Sequence, residues 1–190
     1  MPFVLAPVLG VATGLNPYVT VAITAIVALR SNLLDVATPF EFVATSGMVL
    51  AALLVLPIDL FADKFPGSGG LMDRAGWVIR PLAGAMLGGA VIAEGGPAIL
   101  GGMALGLLGA ALTHGLRLYV RGRVQWRLLG FGRIVFGAYG DFGSGIVALV
   151  AILSPPLGAA IAVMVLAAAL AVDRRWGGPE PEMSVPTDTD

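Results

Sequence analysis

Thr13-Gly14-Leu15-Asn16-Pro17-Tyr18 interrupts the first apolar run of the sequence, which extends from residue 3 to residue 29 without a charged residue. The run is long enough for the ~20 residues that a membrane helix needs. Pro17 removes a backbone donor and clashes with the preceding turn. Asn16, the residue before proline, is pushed out of helical conformation, and Gly14 lowers the cost of a break. The first helix is therefore expected to be broken at Gly14–Pro17, near its middle. Carbonyls freed around residues 11–13 then need partners, which Thr13, Asn16, water or an ion could supply. The plain alternative is a proline kink that serves packing alone.

The composition sets the class. Of 190 residues, 57% are hydrophobic and 12% charged, about half the charge of an ordinary soluble domain. This is the composition of an all-α integral membrane protein whose main partner is the lipid bilayer. A net charge of −1 offers no basic surface for nucleic acid. The lack of cysteine rules out disulfides and thiolate sites, and a single His makes a His-based metal site or charge relay unexpected. No cofactor motif is present, and the identity of any bound metal is left open. The N-terminus has no basic region and no A-x-A site, so the first run reads as a retained span. Abundant Ala and Gly, with Arg far outnumbering Lys, suit a GC-rich bacterial genome and hence a multi-pass protein of the bacterial inner membrane.

Charges and turns divide the sequence into apolar runs at roughly 3–29, 44–61, 75–93, 97–118, 134–153 and 155–172. If each is a span, Lys64, Arg74, Arg80, Arg117, Arg121, Arg123, Arg127, Arg133, Arg174 and Arg175 share one side and only Arg30 lies on the other. This asymmetry predicts six transmembrane helices with both termini cytoplasmic. Residues 1–173 form one membrane domain in this reading. Residues 177–190 (GGPEPEMSVPTDTD) read as a disordered acidic cytoplasmic tail.

The runs also suggest a repeat. Pro81–Ala85 (PLAGA) resembles Pro156–Ala160 (PLGAA), and each follows a run that carries an acid, Asp59 with Asp63 in one half and Asp141 in the other. Two units, about 3–93 and 97–172, would each hold three helices, and an odd number inverts the second copy. Inverted three-helix repeats with a broken first helix are an architecture of small secondary transporters.

The ionisable residues at membrane depth are the candidate transport path. Asp141 lies in a glycine-rich stretch (GAYGDFGSG) and should face the protein interior. Asp59 and Asp63 share one helix face, where they could hold a hard cation or relay a proton. Arg80 could balance their charge or snorkel to the interface. With Asn16 these are the leading residues; Thr13, Lys64 and His114 are secondary candidates. Each has a structural alternative: an ion pair for the acids, an interfacial role for Lys64 and His114. The arginines from Arg117 to Arg133 are expected to set topology and touch anionic lipid.

These segments, GLNPY at 14–18, DLFADKFPG at 59–67, RPLAGA at 80–85, His114, Asp141 and Pro155-Pro156, resemble the family catalogued as domain of unknown function 4126. The family pattern has Glu where Asp59 stands and an acidic pair at 140–141. The resemblance implies a bacterial membrane protein and supplies no activity. The expected function is a small secondary transporter or channel-like permease for a small ion or solute, cation- or proton-linked. A non-catalytic membrane scaffold or assembly protein, including a homo-oligomer, is the alternative. No G-x-S-x-G or H-E-x-x-H motif points to an enzyme.

Overall fold

The computed structural model describes residues 1–62, 69–93, 95–124 and 131–176. Asp63, Lys64 and the tail at 177–190 lie outside the described residues. Every regular element among the described residues is helical: α1 (Pro2–Leu15), α2 (Pro17–Arg30), a 3-10 helix (Thr38–Ala44), α3 (Ser46–Ala62), α4 (Gly69–Ala90), α5 (Gly96–Val124), α6 (Phe131–Leu153) and α7 (Pro155–Trp176).

Helices α5 and α7 are each long and apolar enough to cross a membrane. The 3-10 helix and α3 meet the same test as a pair, bent by 59° at their junction. Only 11% of the apolar stretch of α7 is buried. Leu112, Val163 and Met164 instead point outward, where a soluble protein would place charge. With lipid as the solvent these positions are ordinary. The chain is a helical membrane protein.

α1 is the innermost element. Leu5, Ala6, Leu9 and Ala12 are all buried, and it packs against α4, α5, α6 and α7. A helix that is apolar all round belongs in such a position. Its neighbours are allowed close by glycine. A Cβ on Gly106 of α5 would collide with the carbonyl of Gly84 in α4, and one on Gly10 of α1 would collide with the carbonyl of Gly106. Three backbones thus meet around Gly106, as small residues permit in membrane helices.

The first apolar run is not a single broken span. α1 advances along α5 in the same sense: Phe3 lies 3.7 Å from where a Gly101 Cβ would stand, and a Gly14 Cβ would lie 2.7 Å from the Ala110 carbonyl oxygen. α4 runs opposite to α5, with Gly88 against Gly102 and Gly76 against His114. α6 also opposes α5, because it is antiparallel to α7, whose Asp173 reaches Arg123 at the end of α5. α2 advances along α6 in the same sense, with Val19 and Ile23 beyond Leu15 as Gly145 is beyond Gly140 and Gly143. After α2, the Ala37 amide donates to Ala90 O at the end of α4, 2.9 Å away. α1 and α2 are therefore a re-entrant hairpin that enters and leaves at one end of the molecule.

This corrects the expected topology. The start of α1 shares an end with Arg30, the end of α4 and the start of α5. The basic end of the molecule, with Asp73, Arg121, Arg123 and Asp173, is the opposite one. The two termini of the described helices thus do not lie on one face. The two Pro-Leu-small-small-Ala segments also differ in setting: Pro81 is in the interior of α4, whereas Pro155 and Pro156 open α7.

Candidate functional site

The tip of the hairpin is one residue. Asn16 has φ −147° and ψ 113°, extended backbone between two helices, as the proline that follows requires. Pro17 then takes the first position of α2, where its missing N–H costs nothing. The Asn16 side chain caps that helix, its Oδ1 accepting from the amides of Tyr18 at 3.0 Å and Val19 at 3.1 Å. This bond set fixes the amide plane and turns Nδ2 away from α2. Nδ2 donates to Asp141 Oδ1 at 2.8 Å and to Asp59 Oδ2 at 3.2 Å. Two donors and two acceptors are occupied, the full ordinary capacity of an amide of this type when its carbonyl is counted twice. Asn16 is 1% exposed.

The acids come from separate elements. Asp59 is near the end of α3 and Asp141 in the middle of α6, so one buried amide joins residues 43 and 125 positions away in sequence. Ser144, one turn beyond Asp141, is buried and donates to the Asp141 carbonyl at 2.8 Å. Asp59 also lines a cavity of about 20 Å³ shared with Tyr18, Gly76 and Arg80, enough for one water molecule.

Arg80 completes the tip. The last carbonyls of a helix have no partner within it and carry the negative end of its dipole. One Arg80 amino group, Nη1, donates to Gly14 O at 2.9 Å and to Leu15 O. A buried cation thus has a defined role at the end of α1. Gly76 makes room for it: a Cβ there would lie 2.7 Å from the His114 ring and 3.2 Å from Arg80 Nε.

The chain belongs to the family described as Domain of unknown function (DUF4126), whose sequence model matches residues 4–175. No curated protein and no solved structure matches it. In this DUF4126 domain four positions of the family resemblance meet: Asn16, Asp59, Arg80 and Asp141. GLNPY supplies the tip, Asp59 and Asp141 its acceptors, and RPLAGA the arginine beneath it.

Two of the secondary candidates fall within the described residues of the DUF4126 domain, Thr13 and His114. Thr13 is fully buried, but its hydroxyl donates within α1 to Gly10 O at 2.7 Å and Leu9 O at 3.0 Å. His114 is buried toward the basic end, edge-on to Trp77 at 5.1 Å between ring centroids, with Nε2 3.2 Å from Asp73 O. Asp63 and Lys64 are outside the described residues. Among the described residues, no three His, Cys, Asp or Glu side chains group so as to hold a metal ion.

Two arginines expected at the lipid surface are inside. Arg117 is 8% exposed and Arg121 5% exposed. The Arg117 side chain lies near Gly140, next to Asp141 in sequence, and lines a small cavity with Leu15 and Tyr139. Arg121 pairs with Asp73 at 3.3 Å. The sequence signal for both was their spacing: positions 117 and 121 are one turn apart and share a helix face with Ala110, Thr113, His114 and Val120, all of them buried.

Proposed function

We propose that this DUF4126 protein is a small permease, a secondary transporter or channel-like protein of the bacterial inner membrane, linked to protons or another cation. In this reading α3 to α7 cross the bilayer, and the basic end is cytoplasmic. The α1–α2 hairpin enters from the other face and stops at Asn16. The inverted repeat, about residues 3–93 and 97–172, then sets α3 and α4 against α6 and α7, with Asp59 and Asp141 on corresponding helices.

The observation that carries the proposal is the Asn16 amide held between two carboxylates from different helices. Paired acids at membrane depth serve ion and proton paths. A cation or proton bound at the acids competes with the Asn16 N–H groups for the same oxygens. Because the other side of that amide caps α2, occupancy of the acids is mechanically tied to the hairpin tip. Arg80 holds the end of α1 through this exchange.

The test is flux in proteoliposomes under an imposed pH gradient, with monovalent and divalent cations screened in turn. Wild type is expected to move protons or a cation, and Asp141→Asn to insert and fold yet lose that flux. Full flux in the mutant removes Asp141 from the path. One observation favours a rival reading as a scaffold: the Asn16 hydrogen bonds are already satisfied inside the chain. A scaffold gives no flux with folded, oriented wild type, and Asp141→Asn then lowers stability alone.

A further inference from the structure

A groove of about 530 Å³ runs along α6 beside α2 and α3. Its size is that of sites for drug-sized molecules. Val19 and Ile23 of α2, Leu60 of α3, and Phe142 and Leu149 of α6 form apolar walls. Asp141 is the one polar side chain in its lining among the described residues. The groove is open on its outer side, where Phe142 is 76% exposed and Ile146 54% exposed. With α6 crossing the bilayer, that side faces lipid.

We propose that this groove binds an amphiphilic organic cation, an ammonium or phosphonium head with apolar substituents, which enters sideways from the bilayer. The walls accept apolar surface and offer no hydrogen bond. The carboxylate at their edge makes a cation the complementary charge, because a charge of that sign gains a partner where lipid supplies none. An inorganic ion leaves the walls uncovered, and a phospholipid acyl chain sets methylenes against a carboxylate. The groove is narrow at Gly145, where a Cβ would lie 3.4 Å from Val19 and 3.5 Å from Ile23. An alanine makes ordinary contacts there, whereas a leucine fills the space. This inference deepens the permease reading by naming a substrate class, and it rests on that reading only for the membrane placement of α6.

The experiment is equilibrium binding without any gradient. Wild type in phosphatidylcholine nanodiscs is dialysed against tetraphenylphosphonium, with empty nanodiscs as background and tetraphenylborate as an anion of the same shape. Saturable binding of tetraphenylphosphonium alone is expected. Asp141→Asn, which keeps an acceptor for Asn16, should weaken it at least about tenfold, the scale of one modest charge contact. Gly145→Leu should weaken it as much with the carboxylate intact, and Gly145→Ala should bind as wild type does. Binding no greater than to empty nanodiscs, equal binding of the borate, or unchanged affinity in Asp141→Asn or Gly145→Leu overturns the proposal. Binding with no flux in proteoliposomes leaves this site standing and removes the permease. Flux of an inorganic cation with no phosphonium binding does the reverse.

Discussion

Asn16 and Arg80 solve one problem from two sides. A chain reversal inside a membrane exposes carbonyls at the end of one helix and amides at the start of the next, and lipid can satisfy neither. Asn16 takes the amides of α2 and Arg80 the carbonyls of α1. The two residues should fail differently. Arg80→Ala orphans buried acceptors, a loss of about 1–3 kcal/mol for each. Its thermal unfolding midpoint in detergent should fall well below wild type, with Arg80→Lys in between. Wild-type stability in Arg80→Ala would show that the carbonyls find other donors. Asn16→Asp keeps the cap but replaces both donors with a third carboxylate beside Asp59 and Asp141. It should be less stable than Asn16→Ser, which caps equally well and adds no charge. Chemical denaturation of the two variants side by side decides this, and the reverse order removes the amide from its place between the acids.

At the scale of elements, the break was legible in the sequence and the reversal was not. Asn-Pro after glycine states that a helix ends at residue 15; it does not state the angle at which the next begins. That angle is set by distant partners: Gly10 and Gly14 seat α1 on α5, and Val19 and Ile23 seat α2 on α6. The acids were found because a carboxylate inside an apolar run is conspicuous. Their meeting at Asn16 depends on contacts far apart in sequence, which periodicity does not encode. Glycine content had the same ambiguity, since only packing separates the glycines that matter. Gly106→Ala drives a methyl group into the Gly84 carbonyl and should cost about 1–3 kcal/mol by overpacking. Gly122→Ala, where a Cβ meets nothing within 4 Å, should gain up to about 1 kcal/mol of helix propensity. Opposite shifts in unfolding midpoint are expected; equal shifts would mean that α1, α4 and α5 do not touch at Gly106.

At the scale of the molecule, the charge asymmetry and the reversal are compatible, because residues 3–29 carry no charge. Turning that run back at Asn16 moves the N-terminus to the other face and leaves Arg74, Arg117, Arg121, Arg123, Arg174 and Arg175 toward the end expected of them. Arg30 remains alone opposite them. Charge counting therefore cannot distinguish a crossing from a hairpin here, whereas labelling can. The chain has no cysteine, so single cysteines report without a background. In sealed right-side-out vesicles an impermeant maleimide should label Pro2→Cys and Leu33→Cys from the same, outer face. Leu33 is well placed for this, being 57% exposed just beyond α2. Arg175→Cys, at the end of α7, should react only after the vesicles are opened. If Pro2→Cys instead shares its accessibility with Arg175→Cys and opposes Leu33→Cys, the first run crosses the membrane. Asn16 would then be a kink within a span, and the acids around it would meet a passing helix in place of a hairpin tip.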